Sequence, residues 1–256
     1  MPSFELHSFA LTDIGKRRQV NQDAFLRDDE TGVWIVADGM GGHKAGEVAS
    51  REAIDAAFAM VKRQKAEMLQ RLDRGEAFDD NTAWEASRML EGAIQSATYM
   101  VFGLAELDSE KAGMGTTISA MVALGDHVIT GQVGDSRIYR VRQGTVTQLT
   151  EDHTLINWQL KQGLITAEEA QRSKNRNVIT RAVGNREYVQ VDTNVLELEP
   201  GDQYLLCSDG LHGYLRVDEI PTIAAVGGNL AVKRFVDLAN ARGGRDNITA
   251  VLVEVH

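Results

Sequence analysis

Hydrophobic residues come in short strand-like runs near both ends of the chain and at helical spacing between them. Phe4 to Thr12 alternates as a strand, and Ala24-Phe25-Leu26 and Val33 to Val36 flank the acidic turn Asp28-Asp29-Glu30-Thr31-Gly32 as a hairpin. From Gly46 the period changes, and Ala49, Ala53, Ile54, Ala57, Met60 and Val61 mark one helix face. A second helix, roughly Thr82 to Val101, carries Ala86, Met89, Leu90, Ala93, Ile94, Ala97 and Met100. Arg71 to Asn81 is polar and reads as the loop between them, so the two helices are expected to pack antiparallel over a sheet.

Strand character returns in Thr116 to Leu124, Val128 to Val133, Ser136 to Val141 and Val146 to Leu149, which predicts an antiparallel meander. Thr150 to Ala182 interrupts it with a polar, partly helical excursion, where Thr166 and Glu169 have capping-box spacing. An excursion of that length marks a flap over a site. Strands resume at Val189 to Leu196 and Tyr204 to Cys207, a helix follows near Asn229 to Ala241, and Ile248 to Val255 closes the chain as a strand. No repeat or linker divides residues 1–256, so one domain with a flap at 150–182 is expected.

Composition narrows the function. The 256 residues are 43% hydrophobic and 25% charged, an ordinary globular balance without a membrane span. The N-terminus lacks the features of a signal peptide, and the single Cys207 permits no disulfide framework, so a cytoplasmic protein is expected. A net charge of −10 argues against nucleic acid and anionic membranes and suits cation binding.

The acids carry the chemistry. Asp38 follows an apolar run and precedes Gly39, Asp209 stands in Leu-Leu-Cys-Ser-Asp-Gly, and Asp246 lies before the last strand; Asp135 and Asp23 extend the series. Each sits where a β core meets solvent, a pattern for an all-oxygen Mg²⁺ or Mn²⁺ site; no His or Cys pair has zinc spacing. The glycine loop after Asp38 matches neither a P-loop nor a dinucleotide fingerprint. A cysteine-dependent phosphatase is also excluded, because Gly213 stands where the Arg six residues after Cys207 would be needed.

Arg18 with Asn21-Gln22-Asp23, Asp38-Gly39-Met40-Gly41-Gly42-His43, Gly115-Thr116-Thr117, Gly134-Asp135-Ser136-Arg137, Ser208-Asp209-Gly210 and Asp246-Asn247-Ile248-Thr249 occur in that order. In this the chain resembles the metal-dependent protein phosphatases of type 2C, in their compact bacterial form. The resemblance implies an α+β fold, a four-layer α-β-β-α sandwich of two antiparallel sheets flanked by helix pairs. It implies two Mn²⁺ or Mg²⁺ ions, with Asp38 bridging both, the Gly39 carbonyl on one, and Asp209 and Asp246 on the other. Asp23 acts through metal-bound water, and Asp135 with Asp209 matches a third, weaker site.

The implied reaction is hydrolysis of phosphoserine and phosphothreonine in one step by a hydroxide shared between the cations. Arg18 matches the phosphate-binding arginine, and His43 is the nearest candidate for the general acid, because Met40 stands where the eukaryotic members carry their His. Gln22 replaces a Glu ligand of many members, and Gly213 replaces an acid associated with the third site. The implied partners are a Ser/Thr kinase and its targets, and the protein is expected to be monomeric. The competing reading is a catalytically weak or dead member that binds phosphoproteins. The flap, with Asp152, His153, Arg172, Lys174 and Arg176, is the expected selector of substrate.

Overall fold

The computed structural model describes residues 4–41, 45–173, 175 and 177–256. Strands β1 (Leu6–Asp13), β2 (Asp23–Asp28) and β3 (Val33–Met40) lead into helices α1 (Ala45–Asp73) and α2 (Asp80–Leu107). Next come β4 (Gly115–Thr116), β5 (Ile118–Leu124), β6 (His127–Val133), β7 (Arg137–Arg142) and β8 (Thr145–Gln148). Two short helices, α3 (Leu155–Lys161) and α4 (Ala167–Arg172), occupy the flap region. Strands β9 (Asp192–Glu197) and β10 (Gln203–Cys207), helices α5 (Asp209–His212), α6 (Ile220–Ala224) and α7 (Gly228–Ala241), and β11 (Ile248–Val255) complete the chain.

One sheet has the order β1-β11-β10-β7-β8 and the other β2-β3-β5-β6-β9, with β4 pairing β3 alone; every pairing is antiparallel. The apolar face between the sheets is filled by Trp34, Val36, Met121, Ile138, Tyr204, Leu206, Val251 and Val253. Alanine-rich faces of α1 and α2 cover the outer side of the β3 sheet, and α5, α6 and α7 cover the β11 sheet through Ile220, Val232, Phe235 and Val236. The four-layer α-β-β-α sandwich is therefore present.

Three sequence expectations need correction. Helix α1 continues through Asp73, well beyond Val61, and leaves a shorter loop before α2 than 71–81. Lys65 conceals the period, because a lysine occupies a core position, 4% exposed, between Val61 and Met68. Its ammonium donates to the carbonyls of Thr31 and Gly32 at the β2–β3 turn, which satisfies the group inside the protein. Burial lowers its pKa to about 8.

The predicted meander is also divided. β5 pairs β6, whereas β7 pairs β8 and β10 in the opposite sheet. The chain changes sheets at Gly134, whose φ of 101° favours glycine and whose missing Cβ leaves space for Thr117. Asp135 is placed at this crossing. Finally, β3 does not stop before Asp38: it leaves β5 after Val36 and pairs with β4 at Gly39 and Met40.

Candidate active site

The pairing of β2 with β3 sets Asp23 directly opposite Asp38. Opposed residues in an antiparallel ladder share a face, so two carboxylates here repel each other unless a proton or cation intervenes. The Asp38 backbone is fixed at this change of strand partner. Its amide donates to Thr117 Oγ1 at 2.9 Å, and its carbonyl accepts from the Thr117 amide and the Thr116 hydroxyl, each at 2.9 Å.

Asp23 is 7% exposed and joins the two sheets. Its Oδ2 accepts from Thr249 Oγ1 at 2.6 Å on β11 and from Ser208 Oγ at 2.7 Å after β10, while its Oδ1 is buried without a partner. Burial raises its pKa to about 7, the two hydroxyls oppose the rise, and Asp209 and Asp246 add to it.

Asp209 opens α5 at the end of β10. It also has a buried oxygen without a partner, and burial followed by the charge of Asp246 raises its pKa to about 6. Asp38 is held well above the usual carboxylate range by burial and then by Asp23 and Asp209. Asp135, at the sheet crossing, is raised to about 7 by burial and the charge of Asp209. These are acids gathered into one electrostatic unit from both sheets.

Arg18 supplies the opposing charge. Its Nη2 donates to Asp246 Oδ2 at 2.6 Å, and its pKa is raised by that bond and by Asp246, Asp38 and Asp209, against the effect of burial. Its loop depends on Asn247, whose role the sequence reading missed. The Asn247 Nδ2 donates to the carbonyls of Ile14 and Val20 at 3.1 and 3.0 Å, and its Oδ1 accepts from the Gln22 amide at 2.8 Å. A single buried side chain therefore sets the path of residues 14–22 next to Asp246.

Gly39 allows the start of α1 to approach, since a Cβ there would overlap the Gly46 carbonyl. The Gln22 side-chain carboxamide and the Gly39 carbonyl border the same point beside Gly46, so Gln22 lies next to Gly39. His43 lies outside the described residues, as do Lys174 and Arg176 of the flap.

Two histidines brace the crossing that carries Asp135: His212, absent from the sequence reading, and His153, expected there only as a substrate-selecting residue of the flap. His212 donates from Nε2 to the Asp135 carbonyl at 2.9 Å, and burial lowers its pKa to about 4, so it is neutral there. His153 accepts the Gly134 amide at Nδ1, 3.1 Å away, while its Nε2 faces Asp192 at 2.9 Å. The sequence signal for His212 was its position three residues after Asp209.

Asp135, Asp209 and Asp246 border an open cleft of about 550 Å³ with Arg137, Asp152, His212 and Arg245. Among the described residues, no three His, Cys, Asp or Glu side chains already close on one point to hold an ion. The oxygen-rich set nevertheless fits hard divalent cations, because one oxygen each of Asp23 and Asp209 is orphaned and Arg18 alone does not balance the mutual repulsion of the acids. Cys207 has no role here: it is fully buried and burial pushes its thiol up to about 12.

The family model for protein phosphatase 2C matches residues 15–250. The chain belongs to the protein phosphatase 2C family. This phosphatase is 40% identical over 248 residues, 94% of each chain, to a putative protein phosphatase 2C-type of Streptococcus pyogenes. It is 37% identical to the serine/threonine phosphatase stp of Listeria welshimeri, with coverage of 97% of this chain and 96% of the relative. The solved serine/threonine phosphatase PstP/Ppp of Mycobacterium tuberculosis superposes with a TM-score of 0.84 at 31% identity, covering 97% and 98% of the two chains. A PstP catalytic domain in complex with two manganese ions gives a TM-score of 0.81 at 32% identity and 99% coverage of both chains.

Proposed function

We propose that this phosphatase acts on phosphoserine and phosphothreonine in proteins, with a pair of divalent ions in the acidic cleft. The observation that carries the reading is the register-opposed pair Asp23 and Asp38, facing Asp209 with orphaned carboxylate oxygens on both sides. The names of the Listeria relative and the two-manganese PstP complex support the same chemistry.

In this reading Asp38 would be the ligand shared by both ions, the Gly39 carbonyl would hold one of them, and Asp209 and Asp246 would hold the other. Asp23 acts through water, and Asp135 with Asp209 offers a weaker third position. The ions are Mn²⁺ or Mg²⁺; when bound, they supply a nucleophile at neutral pH and neutralise charge on the phosphoryl group. Arg18 keeps one guanidinium nitrogen on Asp246 and presents Nε and Nη1 to phosphate oxygens. His43 is assigned proton delivery to the departing Ser or Thr oxygen.

The flap, 150–182, selects among phosphoproteins. The biological partners in this reading are a Ser/Thr kinase and its targets, met in the cytoplasm by a monomer.

The test is hydrolysis of a phosphothreonine peptide by metal-stripped protein, with and without Mn²⁺. Turnover is expected only with metal. Asp38→Ala is expected to lose about a thousandfold in kcat, and Arg18→Ala to raise KM about tenfold. Peptide binding without turnover in any metal would instead identify a phosphoprotein-binding module.

A further inference from the structure

The chain carries an excess of ten negative charges, yet exposed cations gather beside Asp246 at the edge of the cleft. The β1–β2 loop exposes Lys16, Arg17 and Arg18 in succession, and the turn after α7 exposes Arg242 and Arg245. These segments are joined. The Lys16 amide donates to the Gly244 carbonyl at 2.7 Å, and Asn240 Nδ2 donates to Asp13 Oδ1 at 3.0 Å. Gly15, with φ of 77°, lies so close to the Asp246 carbonyl that any side chain would overlap it.

Two of the five cations are engaged: Arg18 with Asp246, and Arg242 with both oxygens of Glu219 at 2.7 and 2.6 Å. Lys16, Arg17 and Arg245 make no ion pair among the described residues. Arg245 borders the cleft directly beside Asp246. Elsewhere in the cleft lining Arg137 is held by both oxygens of Asp152 at 2.8 and 2.6 Å, and the described lining also includes the uncharged Thr154 and Asn177. Among the described residues, the cations without an ion pair nearest Asp246 are thus those of the Arg18 loop and Arg245.

We propose that Lys16, Arg17 and Arg245 form a specificity rim that reads anionic groups next to the scissile phosphate. The preferred substrate is a phosphoserine or phosphothreonine segment with neighbouring carboxylates or a second phosphate. This rests on the phosphatase reading above and names the substrate class of that site. The rim binds outside the reacting atoms, so its effect falls on KM and is sensitive to salt. Exposed ion pairs each contribute about a two- to fivefold factor, and three together about tenfold or more.

The test uses Mn²⁺-loaded full-length protein and three phosphothreonine peptides: neutral flanks, Glu and Asp flanks, and a second phosphothreonine nearby. The two anionic peptides are expected to exceed the neutral one about tenfold in kcat/KM at low ionic strength, and the gap is expected to shrink near 1 M salt. In Lys16→Glu/Arg17→Glu/Arg245→Glu the ratio falls to about one through KM, while Arg245→Lys retains most of it. Arg245→Gln alone lowers the ratio two- to threefold and tests the rim independently of the triple variant's folding.

A gap for the doubly phosphorylated peptide alone identifies phosphate as the anion read; equal gaps identify a general anion. Equal rates on all three peptides, or a gap that survives in the triple variant, overturns the proposal while leaving the phosphatase reading intact. Failure to hydrolyse any peptide overturns both.

Discussion

Strand β10 has an aspartate just beyond each end, and the two have opposite surroundings. Asp202, at the N-terminal end, is 1% exposed and fully compensated. Its Oδ1 accepts from Arg142 Nε at 2.7 Å, and its Oδ2 accepts from Arg142 Nη2 at 2.6 Å, Tyr204 at 3.0 Å and the Glu199 amide at 3.1 Å. Asp209, at the other end, keeps an unpartnered oxygen and faces Asp246 and Asp38. The same strand can therefore supply a buried carboxylate with everything it needs, and does so away from the cleft. At the cleft that compensation is reserved for a ligand.

This contrast predicts opposite mutational outcomes. Asp209→Asn is expected to reduce Mn²⁺-dependent kcat by about a thousandfold, while the metal-free protein melts no lower than the parent, because a repulsive charge has been removed. Steady-state kinetics and thermal melting of the same sample check both halves. A parallel loss of activity and stability would erase the distinction between the two ends of β10.

Asp202→Ala should do the reverse. Arg142 keeps Glu199 and the Glu197 carbonyl, but the buried Tyr204 hydroxyl and the Glu199 amide lose their acceptor, which costs about 1–3 kcal/mol, read by denaturant unfolding. The activity of the remaining folded protein is expected to match the parent.

The smallest effect concerns pH. Asp23 and Asp209 titrate at about 7 and about 6 in the metal-free protein, above their ordinary value of 3.8. Between roughly pH 4 and 7 these acids, with Asp38 and Asp135 raised alongside them, hold more protons in the folded chain than in the unfolded one and outnumber the lowered His153 and His212, so their contribution makes stability fall as pH rises. Melting of chelator-treated protein should show that decline, and saturating Mn²⁺ should flatten or reverse it, adding about 2.7 kcal/mol at a hundredfold excess over Kd. An Asp202 variant should show the same metal response, which separates the compensated carboxylate from the uncompensated ones.

Much of this site was legible because its motifs are local. Asp38-Gly39 and Ser208-Asp209-Gly210 announce acids at strand ends within a few residues, and the strand from Ile248 to Val255 was read with its observed limits. Less legible were features created by distant contacts. Lys65 hides a helical period because its partners are carbonyls more than 30 residues away. The divided meander turns on a single positive-φ glycine at a sheet crossing, which resembles an ordinary hairpin turn in sequence. Asn247 appears as part of a motif, while its hold on the Arg18 loop spans 225 residues and more.

Neither sheet owns the cleft: Asp23 and Asp38 come from one, Asp209 and Asp246 flank strands of the other. Each layer alone carries half of the proposed set of ligands, however well its strands are paired. The complete set exists only after the layers have docked across Trp34, Met121 and Leu206. On the proposed ligand assignment, ion uptake in refolding is expected to time the closing of the sandwich, and the protein would carry its own stopwatch for the last stage of assembly.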